Sequence, residues 1–322
     1  MPILVGLTNK QSAAWTDASV GGLLLLGVVI LGLFLLWERR ASEPVVPIHL
    51  FRLRAFTISV IAVFLAAIGF FATVVFLPRW FQSVGGSSAT ESGYQILPLL
   101  AGLIVSAIVS GQIVSRTGKY RLLAAGALVL MSVGLFTLSL MNADTPVPVL
   151  WLCMFITGLG VGPTFAVFTL IVQSSVPVYE LGSGTSSVTF FQQVGGTVGL
   201  AITGTIFAET LTSQVPAQLG TAAVPPEALG AAAPYLTPNL LSAPGDLSAM
   251  LLASMPPDVQ AIVSPVVNEI VQAIHRAFSV ATAATFVPGI VTGLIAAGLV
   301  LFLRDPEPGT VKVEGAAPVM MG

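Results

Sequence analysis

Few residues in this 322-residue chain could do chemistry, and their placement excludes most of it. The 2 histidines, His49 and His275, flank different apolar runs on opposite sides of any membrane those runs would cross. The single cysteine, Cys153, excludes a disulfide framework and a multi-cysteine metal site. No nucleophile stands with a base, so neither an enzyme nor a cofactor is expected. No Asp, Glu, Lys, Arg or His falls in the middle of a long apolar run. Glu91 and Glu209 sit at the ends of two such runs, and Glu180 lies between two others. An ionisable residue inside a membrane is the usual mark of a proton relay, so this sequence offers no obvious coupling group. What remains is polar but uncharged. Gln192 and Gln193 interrupt an apolar run and are costly in lipid unless they face a cavity or a partner helix.

The elements that must position these residues follow from composition. Of all residues 55% are hydrophobic and only 8% are charged, against about 25% charged in a soluble domain. The charges fall in short clusters between long runs with none. That pattern predicts an all-α integral membrane protein whose partner is the lipid bilayer. A net charge of −2 argues against nucleic acid. Seven segments carry the roughly 20 apolar residues that a bilayer core requires: 20–37, 57–78, 94–114, 122–142, 149–173, 187–208 and 277–303. The first is followed by basic residues and lacks a small-residue cleavage site, so it is a retained span rather than a secretory signal.

Orientation follows the basic residues. With the 38–56 segment in the cytoplasm, that side holds Arg39, Arg40, Arg52, Arg54, Arg116, Lys119, Arg121, Arg304 and Lys312. The other side holds Lys10, Arg79 and Arg276. The N-terminus is therefore expected outside and the C-terminus inside. The external segment 209–276 contains no Lys or Arg before its last residue and reads as mostly irregular. Near its end, Ser264-Pro265 resembles a helix start, and Val266, Val267, Ile270, Val271 and Ile274 form one apolar stripe. Residues 265–276 are expected to form an amphipathic helix on the membrane surface; the other reading is a simple extension of the last span. The tail 305–322 is expected to be disordered.

Between the third and fourth spans lies Gly111-Gln-Ile-Val-Ser-Arg116-Thr-Gly118-Lys119-Tyr-Arg121. Glycine permits close helix approach and a tight turn, and the basic residues could pair with helix C-termini or carboxylates. They could also serve as a plain positive anchor. The loop resembles the signature loop of the major facilitator superfamily, with Ser115 at the position of that loop's aspartate. Further segments extend the resemblance, in order, to the C-terminal half of fourteen-span drug:proton antiporters. Glu38-Arg39-Arg40 through Leu50-Phe51-Arg52 is similar to their cytoplasmic linker. Leu77-Pro78 through Leu97-Pro98 is similar to an external hairpin. Gly158, Gly160, Gly162, Pro163, Gln173 and Val176-Pro177 resemble a fourth bundle helix, and Gln193 through Gly195, Gly196 and Gly199 a glycine-rich fifth.

The resemblance implies a division of the chain. Residues 1–37 would be an external segment and the last inserted span, 38–56 a cytoplasmic linker, and 57–304 the second six-helix bundle. A first bundle, a proton gradient as energy source and a plasma-membrane location are implied with it, and the chain looks like a truncated transporter. The resemblance also places Phe70, Phe71 and Thr73, with Thr164, Phe165, Phe168 and Thr169, on cavity-lining helices beside Gln192 and Gln193. Aromatics with a few amides suit amphipathic, often cationic molecules; the same phenylalanines could instead pack or face lipid. The glycines and Pro163 read as close helix packing. Competing classes are a permease for another metabolite or lipid, a seven-helix receptor, and a non-transporting fragment or accessory subunit. No lysine lies in a span, which excludes a retinal Schiff base.

Overall fold

The computed structural model describes residues 17–38, 48–222, 224–237, 240, 247–303 and 305. Arg39, Arg40, Arg304, Lys10, Lys312, most of the linker and the tail after Asp305 lie outside the described residues. Most of those described are helical, with no strand among them. Among the described residues, six helical runs are long and apolar enough to cross a membrane. The first expected span is different. It forms a π-helical turn, Ala18–Gly22, followed by α1 (Leu23–Glu38) of 16 residues. The turn and α1 are continuous, 5 and 16 residues, close to the roughly 20 that a bilayer core requires.

The bundle comprises α2 (Arg54–Ser83), the short α3 (Ala89–Gln95), α4 (Leu97–Thr117), α5 (Arg121–Ser139), α6 (Val147–Ser175), α7 (Leu181–Thr221), and a last span made of α11 (Val267–Ala284) and α12 (Val287–Val300). Its boundaries have local causes. Ser88 and Glu91 form a reciprocal capping box on α3. Pro98 sits in the first turn of α4, where a missing N–H costs nothing. Gly118 ends α4 with φ 67°, a left-handed conformation that glycine adopts without strain. Pro288 forces the break in the last span, and the buried Thr285 hydroxyl donates to Thr282 O across it, 2.6 Å away.

Helix pairing repeats itself. In chain order, α2, α4 and α5 form one triplet, and α6, α7 and α11–α12 form another. α2 packs on α7 as α6 packs on α4; α2 packs on α12 as α6 packs on α5. Two further contacts, α2 with α6 and α5 with α12, join equivalent members, while α7 also packs on α11 within the second triplet. This is the pairing of two interleaved three-helix repeats, inverted because each contains an odd number of spans. Glycine lies at several tight crossings. A Cβ on Gly158 would fall 2.1 Å from Leu99 O, one on Gly160 2.2 Å from Met131 N, and one on Gly162 2.2 Å from Leu103 O. On α7, Gly195 would meet Phe64 O at 2.2 Å and Gly199 the Ile68 backbone at 2.7 Å. Such approach is how helices gain packing energy where lipid supplies no hydrophobic drive.

The 209–276 region is more ordered than its composition suggests. α7 continues to Thr221, and α8 (Pro226–Ala232), α9 (Leu247–Ala253) and α10 (Pro257–Val263) follow. The apolar stripe expected at the membrane surface instead belongs to α11. Its Val267, Ile270, Val271 and Ile274 are buried, with α7 and α9 packed against the helix. Protein covers the stripe, so it has no apolar face left for lipid. Gln260 Nε2 donates to Leu252 O and Met255 O at 2.8 and 2.9 Å, tying α10 to the end of α9.

Candidate functional site

The aromatic and amide residues fall into two groups. Phe70 on α2 meets Phe165 on α6 edge to face, centroids 5.3 Å apart, and meets its neighbour Phe71 at 5.5 Å. The Phe71 ring lies over Gly196 of α7, where a Cβ would come within 2.5 Å of it. These three half-buried rings therefore join three helices. Gln192 and Gln193 stand four and three residues before Gly196, one turn along on the same side of α7. Gln192 is half-buried and Gln193 exposed. Phe70, Phe71 and Phe165 thus form one cluster of rings against α7, with Gln192 and Gln193 one turn along that helix from Gly196.

The second group is packing. Phe168 is fully buried and belongs to the core, and Thr73 and Thr164 are equally covered. Thr73 donates to Gly69 O at 2.8 Å and Thr164 to Gly160 O at 2.9 Å, so each hydroxyl is satisfied within its own helix. Thr169 donates to Phe165 O in the same way. Pro163 is buried inside α6, between the Gly162 and Thr164 contacts. Gly69-x-x-x-Thr73 and Gly160-x-x-x-Thr164 stand on the equivalent first helices of the two repeats.

The basic loop is arranged differently from the expectation. A Cβ on Gly111 would meet nothing within 4 Å, so no close helix approach occurs there. The approach is made at Gly102, whose Cβ would lie 2.4 Å from Phe155 O. Arg116 and Lys119 are exposed and make no ion pair with a described residue. The carboxylate at this loop is Asp305, which accepts the backbone N–H of Tyr120 at 3.0 Å and of Arg121 at 2.9 Å. It occupies the positive end of α5. Burial first, and the Asp305 charge second, push the Tyr120 phenol above the usual tyrosine range.

Among the described carboxylates, Glu91 is engaged in the α3 cap, with Oε2 accepting Ser88 N–H at 2.8 Å. Glu180 Oε1 pairs with His49 Nε2 at 2.9 Å, the ion pair found among the described residues. At the opposite end, Trp80 Nε1 donates to buried Ser279 Oγ at 2.8 Å, and Arg79 lies 5.5 Å from the Phe207 ring centroid. His275 lies on α11 and is half-buried.

The sequence has counterparts among known proteins. The family model of the Major Facilitator Superfamily matches residues 1–200. The chain belongs to the major facilitator superfamily. It is similar to an uncharacterized MFS-type transporter of Mycobacterium tuberculosis, 33% identical over 232 residues, which are 72% of this chain and 34% of that one. It is similar to multidrug transporter protein MdtP of Bacillus subtilis, 35% identical over 193 residues, 60% of this chain and 36% of that one. It also matches the tetracenomycin C resistance and export protein of Streptomyces glaucescens, 28% identical over 303 residues, 94% of this chain and 54% of that one. The chain thus spans about a third of the first two and about half of the third. A solved bacterial homologue of the human lysosomal transporter Spinster matches with TM-score 0.47 and 14% identity, over 91% of this chain and 62% of that one.

As a superfamily member the protein is a multi-pass membrane protein, and its interleaved repeats are those nested in each half of such transporters. Several residues that shape the site gave little sign in the sequence. Gly69 and Gly289 meet at a helix crossing, with a Cβ on Gly289 only 2.5 Å from Gly69 Cα. Ser106 Oγ donates to Gly158 O across α4 and α6 at 3.3 Å. Four-residue spacing of small residues was the available signal for these. His49–Glu180 and Asp305–Arg121 bridge segments far apart in the chain, and spacing carries no information about them.

Proposed function

We propose that this chain is the second bundle of a proton-coupled exporter of amphipathic, often cationic small molecules in the plasma membrane. The observation that carries this reading is the ring cluster of Phe70, Phe71 and Phe165 against α7, with Gln192 and Gln193 one turn along that helix. Ring faces attract an organic cation, and the amides offer hydrogen bonds without a fixed charge. The names of relatives in multidrug and antibiotic export support the same class.

The exposed faces support a missing first bundle, supplied upstream or by another chain. Only 22% of the apolar stretch through α4 and 33% of that through α7 is covered, against 61% for α2 and for α6. α4 and α7 are equivalent helices of the two repeats. The open face of α4 presents Ile104, Val105, Ile108 and Val109, which suits lipid or another helix. That of α7 carries Gln193, which does not suit lipid. Proton coupling would then reside in the first bundle, since no described span holds a carboxylate at its middle.

The test uses a full-length transporter containing this chain. Phe165→Ala and Gln192→Leu should each weaken ethidium export by roughly tenfold, with insertion unchanged. Export that is unaltered in both would remove these residues from the substrate path. Two further results are expected. A reporter fused after Leu303 is cytoplasmic and one inserted near Gly230 is external, as the charge asymmetry requires; the reverse would overturn the orientation. Replacing Arg116, Lys119 and Arg121 together with alanine cuts ethidium efflux while the protein still inserts. Unchanged efflux would leave that loop only an anchoring role.

A further inference from the structure

We propose that residues 48–53 form a latch that fastens the linker to the inner end of α7 and limits how far α7 can swing from α2. The segment is a 3-10 turn, Ile48–Arg52, closed by Leu53 N–H donating to Leu50 O at 2.9 Å. Three contacts hold it. Leu50 is 1% exposed, sunk among the bundle's apolar residues. Phe51 stands edge to face with Phe56 of α2 at 5.2 Å and with Phe191 of α7 at 5.9 Å, while its carbonyl accepts the Thr57 hydroxyl at 2.7 Å. His49, 58% exposed at its side chain, reaches across to Glu180 Oε1 at 2.9 Å.

The Glu180 side indicates a switchable contact rather than a permanent one. Glu180 is the residue before α7, and its side chain makes no cap bond to that helix. One oxygen is given to His49, and Oε2 is buried with no hydrogen-bond partner among the described residues. A half-satisfied buried carboxylate is costly, so holding it there depends on the single contact to His49. The consequence reaches the substrate-facing surface, because Phe191 precedes Gln192 directly. The phenylalanine that the latch grips and the amide of the proposed site share one turn of α7. Release of the latch would free that turn from α2 below the Gly195 crossing. Motion of the linker is thereby coupled to the exposure of Gln192, independently of membrane orientation and of which substrate is carried.

The test uses the purified chain in lipid nanodiscs, where both faces are accessible. Two readouts are followed: tryptic cleavage after Arg52 and Arg54, and maleimide labelling of Gln192→Cys in a Cys153→Ala background. Glu180→Gln should raise both by about fivefold, since each follows the population of the released state. The charge swap His49→Glu with Glu180→His should return both toward the parent values. His49→Gln, at a well-exposed position, gives the same increase if Glu180→Gln folds poorly. Unchanged cleavage and labelling would overturn the proposal. So would faster cleavage without faster labelling, which would make the segment a local tether, or a swap that restores neither.

Discussion

Gly158→Val should lower the stability of this bundle by about 3 kcal/mol or more, while Gly126→Ala should leave it unchanged or slightly raised. Both glycines lie inside long helices, so helix propensity alone would favour each substitution. The difference is what a side chain would meet. At Gly158 even the first carbon falls 2.1 Å from Leu99 O and 2.9 Å from Leu103 N. Those are backbone atoms, and they cannot rotate away as a side chain would. α4 and α6 must separate, and the Ser106 hydroxyl then loses Gly158 O as a partner. A Cβ on Gly126 would meet nothing within 4 Å. Thermal unfolding of the two variants in mild detergent, followed by tryptophan fluorescence, provides the comparison. Equal midpoints would mean that the α4–α6 crossing is not as close as described.

Much of the architecture was legible because lipid imposes a simple code. A run such as 57–78 has to be helical to satisfy its backbone without water, and α2 covers it with a few residues added at each end. The first run is helical too, continuous from a π-helical start at Ala18 to Glu38. The region after Glu209 was read less well. Leu211, Val215 and Leu219 recur every four residues and are buried, so the periodic signal continuing α7 was present beneath an Ala- and Pro-rich composition. The α11 stripe was read as an amphipathic face on the membrane surface, but a stripe does not say what covers it. Lipid and α7 are equally apolar partners, and tertiary packing decided.

The site was partly legible for the same reason. Residue type marks Phe70, Phe165 and Phe168 alike, and only the helix crossing separates the half-buried pair from the core residue. Gly111 and Gly102 look interchangeable in sequence, yet the crossing point of α4 and α6 selects Gly102. The pairing of Asp305 with the start of α5 and of His49 with Glu180 depends on which helix ends share one face of the bundle. That is a property of the completed fold.

The second large effect is that residues 1–322 alone should give no proton-coupled export. Uphill transport requires a site whose protonation shifts the balance between inward- and outward-facing states. Glu91 is tied into a helix cap, Glu180 is paired at the start of α7, and no described span holds a carboxylate at its middle. Rocking also requires a second body, and the bare faces of α4 and α7 are where it would bear. The direct measurement is to express these residues in cells lacking their own exporters and follow loss of preloaded ethidium, with and without a protonophore. The account predicts retention of the dye equal to that of empty cells, and export restored when a first bundle is supplied. Efflux from this chain alone that collapses with the protonophore would contradict it, and would place the coupling group among Glu91, Glu180 and Glu209.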